Sequence, residues 1–194
     1  KENSKGLELT LRGAGNGYSL SASLYHSWFN GFIYESPTGV IEDGLPVFQI
    51  LQASARHYGV EFEGSVHLAT LGQFAINLDG VGDYTRATIR GGAAVPRIPA
   101  LRLLGGLEAQ SDTVTARIET EWVDGQSRIA AFETATKGYT MVNASVNVKP
   151  LGKDVGLDLT LSANNLFDVL ARRHASFLKD YAPLAGRDIR LTAR

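Results

Sequence analysis

Cysteine is absent from the 194 residues, which excludes disulfide frameworks, thiolate metal centres and cysteine nucleophiles. No stretch approaches the roughly 20 consecutive apolar residues of a spanning helix. No block of like charge occurs and the formal net charge is −1, so neither nucleic acid nor an anionic lipid surface is an expected electrostatic partner. The first residue is Lys1, with no charged-then-apolar leader; any secretory leader is expected upstream or already removed. The Gly-rich stretch at 13–17 (GAGNG) lacks a Lys-Ser/Thr end and is followed by no helical pattern. It reads as a hairpin turn rather than a phosphate loop. Mean hydropathy is −0.06 although 44% of residues are apolar. Such a balance fits a soluble domain, and equally strands with one face in lipid and the other in water.

What is present is alternation of period two, the signature of strands with unlike faces. Leu7, Leu9 and Leu11 alternate with Glu8, Thr10 and Arg12, and Tyr18, Leu20, Ala22 and Leu24 with Ser19, Ser21 and Ser23. A long strand is predicted over 47–69, where Val60, Phe62, Val66 and Leu68 oppose Glu61, Glu63, Ser65 and His67. Phe74, Ile76 and Leu78 begin the next, and an irregular strand at 100–110 is broken by Leu101, Leu103 and Leu104. Ile118 and Trp122 oppose Arg117, Glu119 and Glu121; Val142 to Val148 alternate with Asn143, Ser145 and Asn147. Leu157, Leu159 and Leu161 oppose Asp158, Thr160 and Ser162, and Ile189 and Leu191 oppose Arg190 and Thr192. The pattern predicts nine strands and no helix.

The connections sort by length. Tight turns rich in Gly, Asn, Asp and Pro are predicted at 13–17, 70–73, 111–112 and 150–154. Long loops are predicted at 35–46, 91–99, 125–137 and 169–186, and the two kinds alternate. With antiparallel strands, all short turns lie at one end of the sheet and all long loops at the other. Outer-membrane barrels have this construction, with short periplasmic turns and long extracellular loops. The ends of a soluble sandwich face one solvent and give no reason for such sorting. Tyr18, Phe74, Trp28, Trp122, Tyr84 and Tyr139 stand near strand ends, as interfacial girdles do. Charges such as Glu61, Glu119, Glu121 and Arg190 require a wet inner face, because an unpaired buried charge is costly. The fold expected is therefore all-β, a segment of an antiparallel transmembrane β-barrel. A passive porin-type barrel and a soluble β-sandwich binding module are the alternatives.

At the end of the chain, the run Asn164-Asn165-Leu166-Phe167-Asp168 and the stretch from Pro183 through Gly186, Arg187 and Asp188 resemble the closing region of the barrel of TonB-dependent outer-membrane receptors. Glu2-Asn3-Ser4, Gly59-Val60-Glu61 and Pro96-Arg97-Ile98-Pro99 resemble further signatures of that family, in the family's order. The resemblance implies a barrel of about 22 strands with a plugged lumen. Residues 1–194 would supply about its nine C-terminal strands. It further implies a bacterial outer-membrane location, a lipid surround, and TonB contact through an N-terminal part outside this sequence. The implied activity is uptake of a scarce nutrient such as a ferric siderophore or other metal complex, with no cofactor and no enzymatic role. The end at Arg194 departs from the family's usual aromatic terminus.

Candidate chemistry is confined to a few places. Glu61, Glu63 and His67 share one strand face with His57, a pairing of carboxylate and imidazole that suits zinc, or else hydrated lumen side chains. His26, on the apolar face near Trp28, is expected at headgroup level. The last loop holds Arg172, Arg173, His174, Lys179, Asp180 and Tyr181, and long loops on rigid scaffolds concentrate contacts with ligands. His174 is the further metal candidate, Phe132 and Glu133 mark a second contact loop, and a purely structural last loop is the competing reading. Glu119 and Glu121 share a face but read as channel-wall charges rather than an acid–base pair.

Overall fold

The structure, a computed structural model, describes residues 1–152 and 155–194; the last two residues of the turn expected at 150–154 lie outside them. It is one antiparallel sheet of nine strands, each paired with its neighbours in sequence. The strands are β1 (Asn3–Gly15), β2 (Tyr18–Glu42), β3 (Leu45–Leu71), β4 (Phe74–Ile89), β5 (Arg102–Gln110), β6 (Val114–Val123), β7 (Tyr139–Val148), β8 (Leu159–Asn164) and β9 (Asp188–Ala193). No second sheet faces it among the described residues, which removes the sandwich alternative.

Register carries the alternation intact across the sheet. One row runs Leu78, Leu107, Ile118, Ala144, Ala163, Ile189. The next row, one residue along each strand, runs Asn77, Glu108, Arg117, Ser145, Ser162, Arg190. Because side chains of neighbouring positions point to opposite faces, the two rows fix one apolar and one polar surface. The apolar one is left open: Leu9 is 68% exposed and Leu191 73%. Near the long-loop end this surface changes character, with Leu7 beside His26, His26 beside Tyr58, and Tyr58 beside Arg86. His26 stacks on Trp28 at 4.1 Å between ring centroids, among aromatic and cationic neighbours.

Four expectations need correction. Residues 35–46 are not a loop: β2 and β3 continue to Glu42 and Leu45 and join through Asp43-Gly44, both at positive φ (51° and 79°). Two left-handed residues make the tight turn that suits strand twist. Pairing with β1 stops at Asn30 and with β4 at Ala55, so the rest of this hairpin rises as a two-stranded ribbon. Such a ribbon is marginal alone. Here Phe32, Tyr34 and Ala53 pack on a small core of Ala87, Ile89 and Val95, joined by Ile98 from the 90–101 loop. Secondly, Leu68 falls at a register shift between His67 and Ala69 and is the extra residue of a bulge. Thirdly, Tyr139 pairs with Val123 in the row of Asp83 and Arg102, which puts it on the polar face, buried, and not in a girdle. Finally, Leu157 precedes β8, although Asp158 and Arg194 exchange backbone hydrogen bonds just beyond it.

The irregularity of β5 also has a cause. Leu103 faces Gly82 and Trp122 on the apolar side, while Leu104 faces Val81 and Glu121 on the polar side. Leu104 and Val81 thus form an apolar spot on an otherwise charged wall.

Candidate functional site

Three long connections, 90–101, 124–138 and 165–187, meet at one end of the sheet, and three local devices shape them. The first is Asn165, at a φ of 49° and 1% exposed. Its Nδ2 donates to the carbonyls of Val169 (2.9 Å) and Ala185 (3.1 Å), and its Oδ1 accepts from the Val169 amide at 2.8 Å. The side chain therefore ties the two ends of the last loop together. Asp168 completes the closure by accepting from the Arg187 amide at 2.8 Å, while Gly186 leaves room for its carboxylate. This is the physical content of the Asn-Asn-Leu-Phe-Asp run: asparagine and aspartate tolerate the left-handed conformation and bond local backbone.

The second device is Arg97, at a φ of 60°, whose amide donates to Glu133 Oε1 at 2.8 Å. Its guanidinium lies 3.8 Å from the centre of the Phe177 ring and 3.6 Å from Glu35 of the ribbon. The third is the turn at 130–133, which places exposed Phe132 at a φ of 63°. A bulky side chain rarely adopts that conformation without compensation. The compensation is that Glu133 folds back, its Oε2 accepting from the Ala130 amide at 3.0 Å.

These devices converge on Glu133. Lys179 Nζ and His174 Nε2 each lie 3.1 Å from its Oε1, and all three side chains are at least nine-tenths buried. Nδ1 of His174 sits 3.0 Å from Thr136 Oγ1 and 3.4 Å from Lys179 Nζ. An ammonium can only donate, so Nδ1 is the acceptor and the neutral ring carries its proton on Nε2, towards Glu133. The Nε2 approach is off the line of a hydrogen bond, leaving that buried nitrogen with an ionic neighbour but no aligned acceptor.

Electrostatics follow from this packing. Burial pulls the His174 imidazole below its ordinary value and Lys179 pushes the same way, against the opposing Glu133 and Asp180 carboxylates. For Glu133, burial alone would raise the carboxyl; the amides of Ala130 and Arg97 and the Lys179 ammonium outweigh it and hold the group low. At pH 7 Glu133 is thus a carboxylate and His174 a neutral imidazole.

Of the residues singled out in the sequence, Glu133, His174 and Lys179 are brought together, and Asp180 is held nearby by Thr134 at 2.6 Å. Arg172 is committed to the backbone carbonyl of Lys179. Arg173, Tyr181 and Phe132 remain exposed, the last two at 86% and 66%. Glu61, Glu63 and His67 stay on β3, away from the loops; both His67 ring nitrogens face neutral partners, Asn77 and Thr70, at 3.1 Å. No group of three or more His, Cys, Asp or Glu side chains is placed to hold a metal among the described residues. Glu119 takes bonds from Arg117 and Asn143, and Glu121 lies 3.6 Å from Arg102, as wall charges do. The sequence does not single out Arg97, Thr136 or Asn165 for these contacts; the Arg-Ile-Pro and Asn-Asn signatures are the only signal for Arg97 and Asn165, and Thr136 has none.

Two cavities of about 260 Å³ each flank the Glu133 cluster. One opens among the loop tips and the ribbon, lined by Arg97, Phe132, Glu133, Phe177, Lys179 and Phe48. The other lies over the polar face, lined by Asp83, Arg102, Glu121, Tyr139, Arg173 and His174.

Residues 1–166 match the family described as TonB dependent receptor-like, beta-barrel. Among solved structures, the copper transporter OprC superposes with a TM-score of 0.81 at 20% identity, over 96% of this chain and 30% of that one. The FrpB iron transporter from Neisseria meningitidis (F3-3 variant) gives 0.74 at 17% identity, over 98% and 30%. The ferric-catecholate import receptor Fiu from E. coli K12 gives 0.68 at 16%, over 99% and 27%. At such identities the likeness is one of fold. This chain spans less than a third of the length of those structures.

Proposed function

From the premise that this chain belongs to the TonB-dependent receptor β-barrel family, a family of receptors rather than enzymes, we propose that it is wall, lumen face and external loops of an outer-membrane receptor. The whole receptor takes up a scarce nutrient, a ferric siderophore or other metal complex, with energy delivered through TonB by a part of the protein outside these residues. The metal is cargo and not a resident cofactor. In this reading the apolar face meets lipid, the polar face lines the lumen, and the three-loop end is extracellular.

The observation that carries this reading is the family match over residues 1–166, and the two unlike faces of the sheet agree with it. The structural relatives named for copper, iron and ferric catecholate support a metal-bearing cargo. Exposed Phe132 on the outer cavity, exposed Arg173 on the cavity over the polar face, and exposed Tyr181 are this segment's contact candidates, aromatic and cationic side chains of the kind that suit a bulky anionic complex.

The test is growth of the natural organism lacking the gene, under iron, zinc or cobalamin limitation, with and without TonB. A defect under one limitation, reproduced by TonB loss, is the expected result. Uptake that continues unchanged without TonB would instead support a passive barrel.

A further inference from the structure

The Glu133 cluster stands between the two cavities: Glu133 and Lys179 line the outer one, and His174 and Thr136 line the one over the polar face. The contacts that Glu133 makes with Arg97, Lys179 and His174 join different loops. Glu133 belongs to 124–138, its partner amide Arg97 to 90–101, and Lys179 and His174 to 165–187. Thr134 with Asp180 repeats the link between the last two loops. We propose that this cluster is a partition between an outer vestibule and the lumen, and that it opens when the 165–187 loop leaves Glu133. The proposal rests on the receptor reading for its inside and outside.

The physical reason for a partition rather than mere packing is the kind of contact. An apolar seal would loosen gradually. Here a buried carboxylate holds a buried ammonium, and separating one partner without rehydrating the other is strongly disfavoured. The contact is therefore two-state: made and dry, or broken and wet. Breaking it joins the two cavities, because Glu133 and Lys179 line one and His174 and Thr136 the other. Asn165 and Asp168, at positive φ and bonded across the two loop ends, fix the base of the moving segment. Below that base the strands are continuous, so the motion needs no change in the barrel wall.

The test uses the natural full-length protein in intact cells, with a membrane-impermeant polyethylene-glycol maleimide added outside. Labelling is read as a mass shift relative to the parent protein. Ala131→Cys reports the outer cavity from an exposed position, and Ala100→Cys reports the inner one from a buried position. With the cluster intact, Cys at 131 should label rapidly and Cys at 100 slowly. Lys179→Met should raise labelling at 100 by roughly tenfold or more, consistent with loss of a buried ion pair, and leave 131 unchanged. Glu133→Gln, which keeps the shape, repeats the measurement in case Lys179→Met fails to assemble. Fast labelling at 100 in the parent, or continued protection in both variants, overturns the partition. If neither position labels from outside, the loops are not extracellular and the receptor reading itself fails.

Discussion

The guanidinium of Arg117 on β6 lies across the bare Cα of Gly106 on β5. It reaches Asp79 on β4, with paired bonds of 2.5 and 2.8 Å. A Cβ at position 106 would come within 2.1 Å of the Arg117 Nη2 atom. Glycine there lets one strand's cation bridge two strands over, and Glu119 adds a third contact at 3.2 Å. Gly106→Ala should push the flexible end of Arg117 aside rather than distort backbone. The expected loss is about 1 kcal/mol, the scale of a charge-assisted pair in a wet setting. Urea unfolding of the purified receptor measures it. In a cycle with Asp79→Asn the two losses should not add, because both remove the same pair.

Asn165 should be costlier to replace. Asn165→Ala removes three hydrogen bonds at a 1%-exposed site and puts a Cβ-bearing residue without local bonds at positive φ. A loss of about 2–3 kcal/mol is expected, confined to the last loop. The measurement is trypsin cleavage after Arg172 and Arg173 in the assembled protein. Cleavage should accelerate while the barrel itself stays resistant. Asn165→Gly, which relieves the backbone but not the bonds, should be only slightly better.

Acid should loosen the loop cluster in two stages. His174 is held below its ordinary value of 6.5, so the opened loop binds a proton that the packed loop refuses. Stability contributed by the packed state is present above about pH 6.5 and is lost as pH falls through the lowered value. Glu133 is also held low, so its contribution is lost only further down, below its ordinary 4.5. Hydrogen exchange of the 165–187 amides, followed from pH 7.5 to pH 4, should show protection falling in that order. His174→Gln should abolish the first stage and keep the second.

Much of this was legible in the residues, and the rest was hidden for physical reasons. The nine strands could be read because one apolar and one polar face impose a period of two, which Leu7 to Arg12 or Ile118 to Trp122 display directly. The ribbon could not, because Pro37, Gly39, Gly44 and Pro46 look like loop residues. They are tolerated where no further strand pairs alongside, and Asp43-Gly44 supplies the turn. Tyr139 was misread because aromatic position along a strand does not reveal which way the ring faces. His174, Lys179 and Glu133 stood out singly. Their meeting depends on the left-handed conformations of Arg97, Phe132 and Asn165, which no periodicity encodes.

The face assignment has a mutational consequence on adjacent residues of β8. Leu161 lies in the row of Val146 and Leu191, and Thr160 in the row of Asn147 and Thr192. Leu161→Arg should cost about 2–4 kcal/mol if it lies near the hydrocarbon midplane. It should deplete the heat-resistant assembled form on gels. Thr160→Arg should assemble normally. Equal effects would place both residues in the same medium.

The most direct measurement is a spin-label scan along β6, one position at a time from Val114 to Val123, in the full-length protein in native outer membrane. Contact with dissolved oxygen and with a water-soluble nickel chelate should alternate out of phase at every step. Oxygen should win at Ala116, Ile118 and Thr120, and nickel at Thr115, Arg117 and Glu119. Nickel contact at both sets alike would mean that neither side of the sheet meets hydrocarbon.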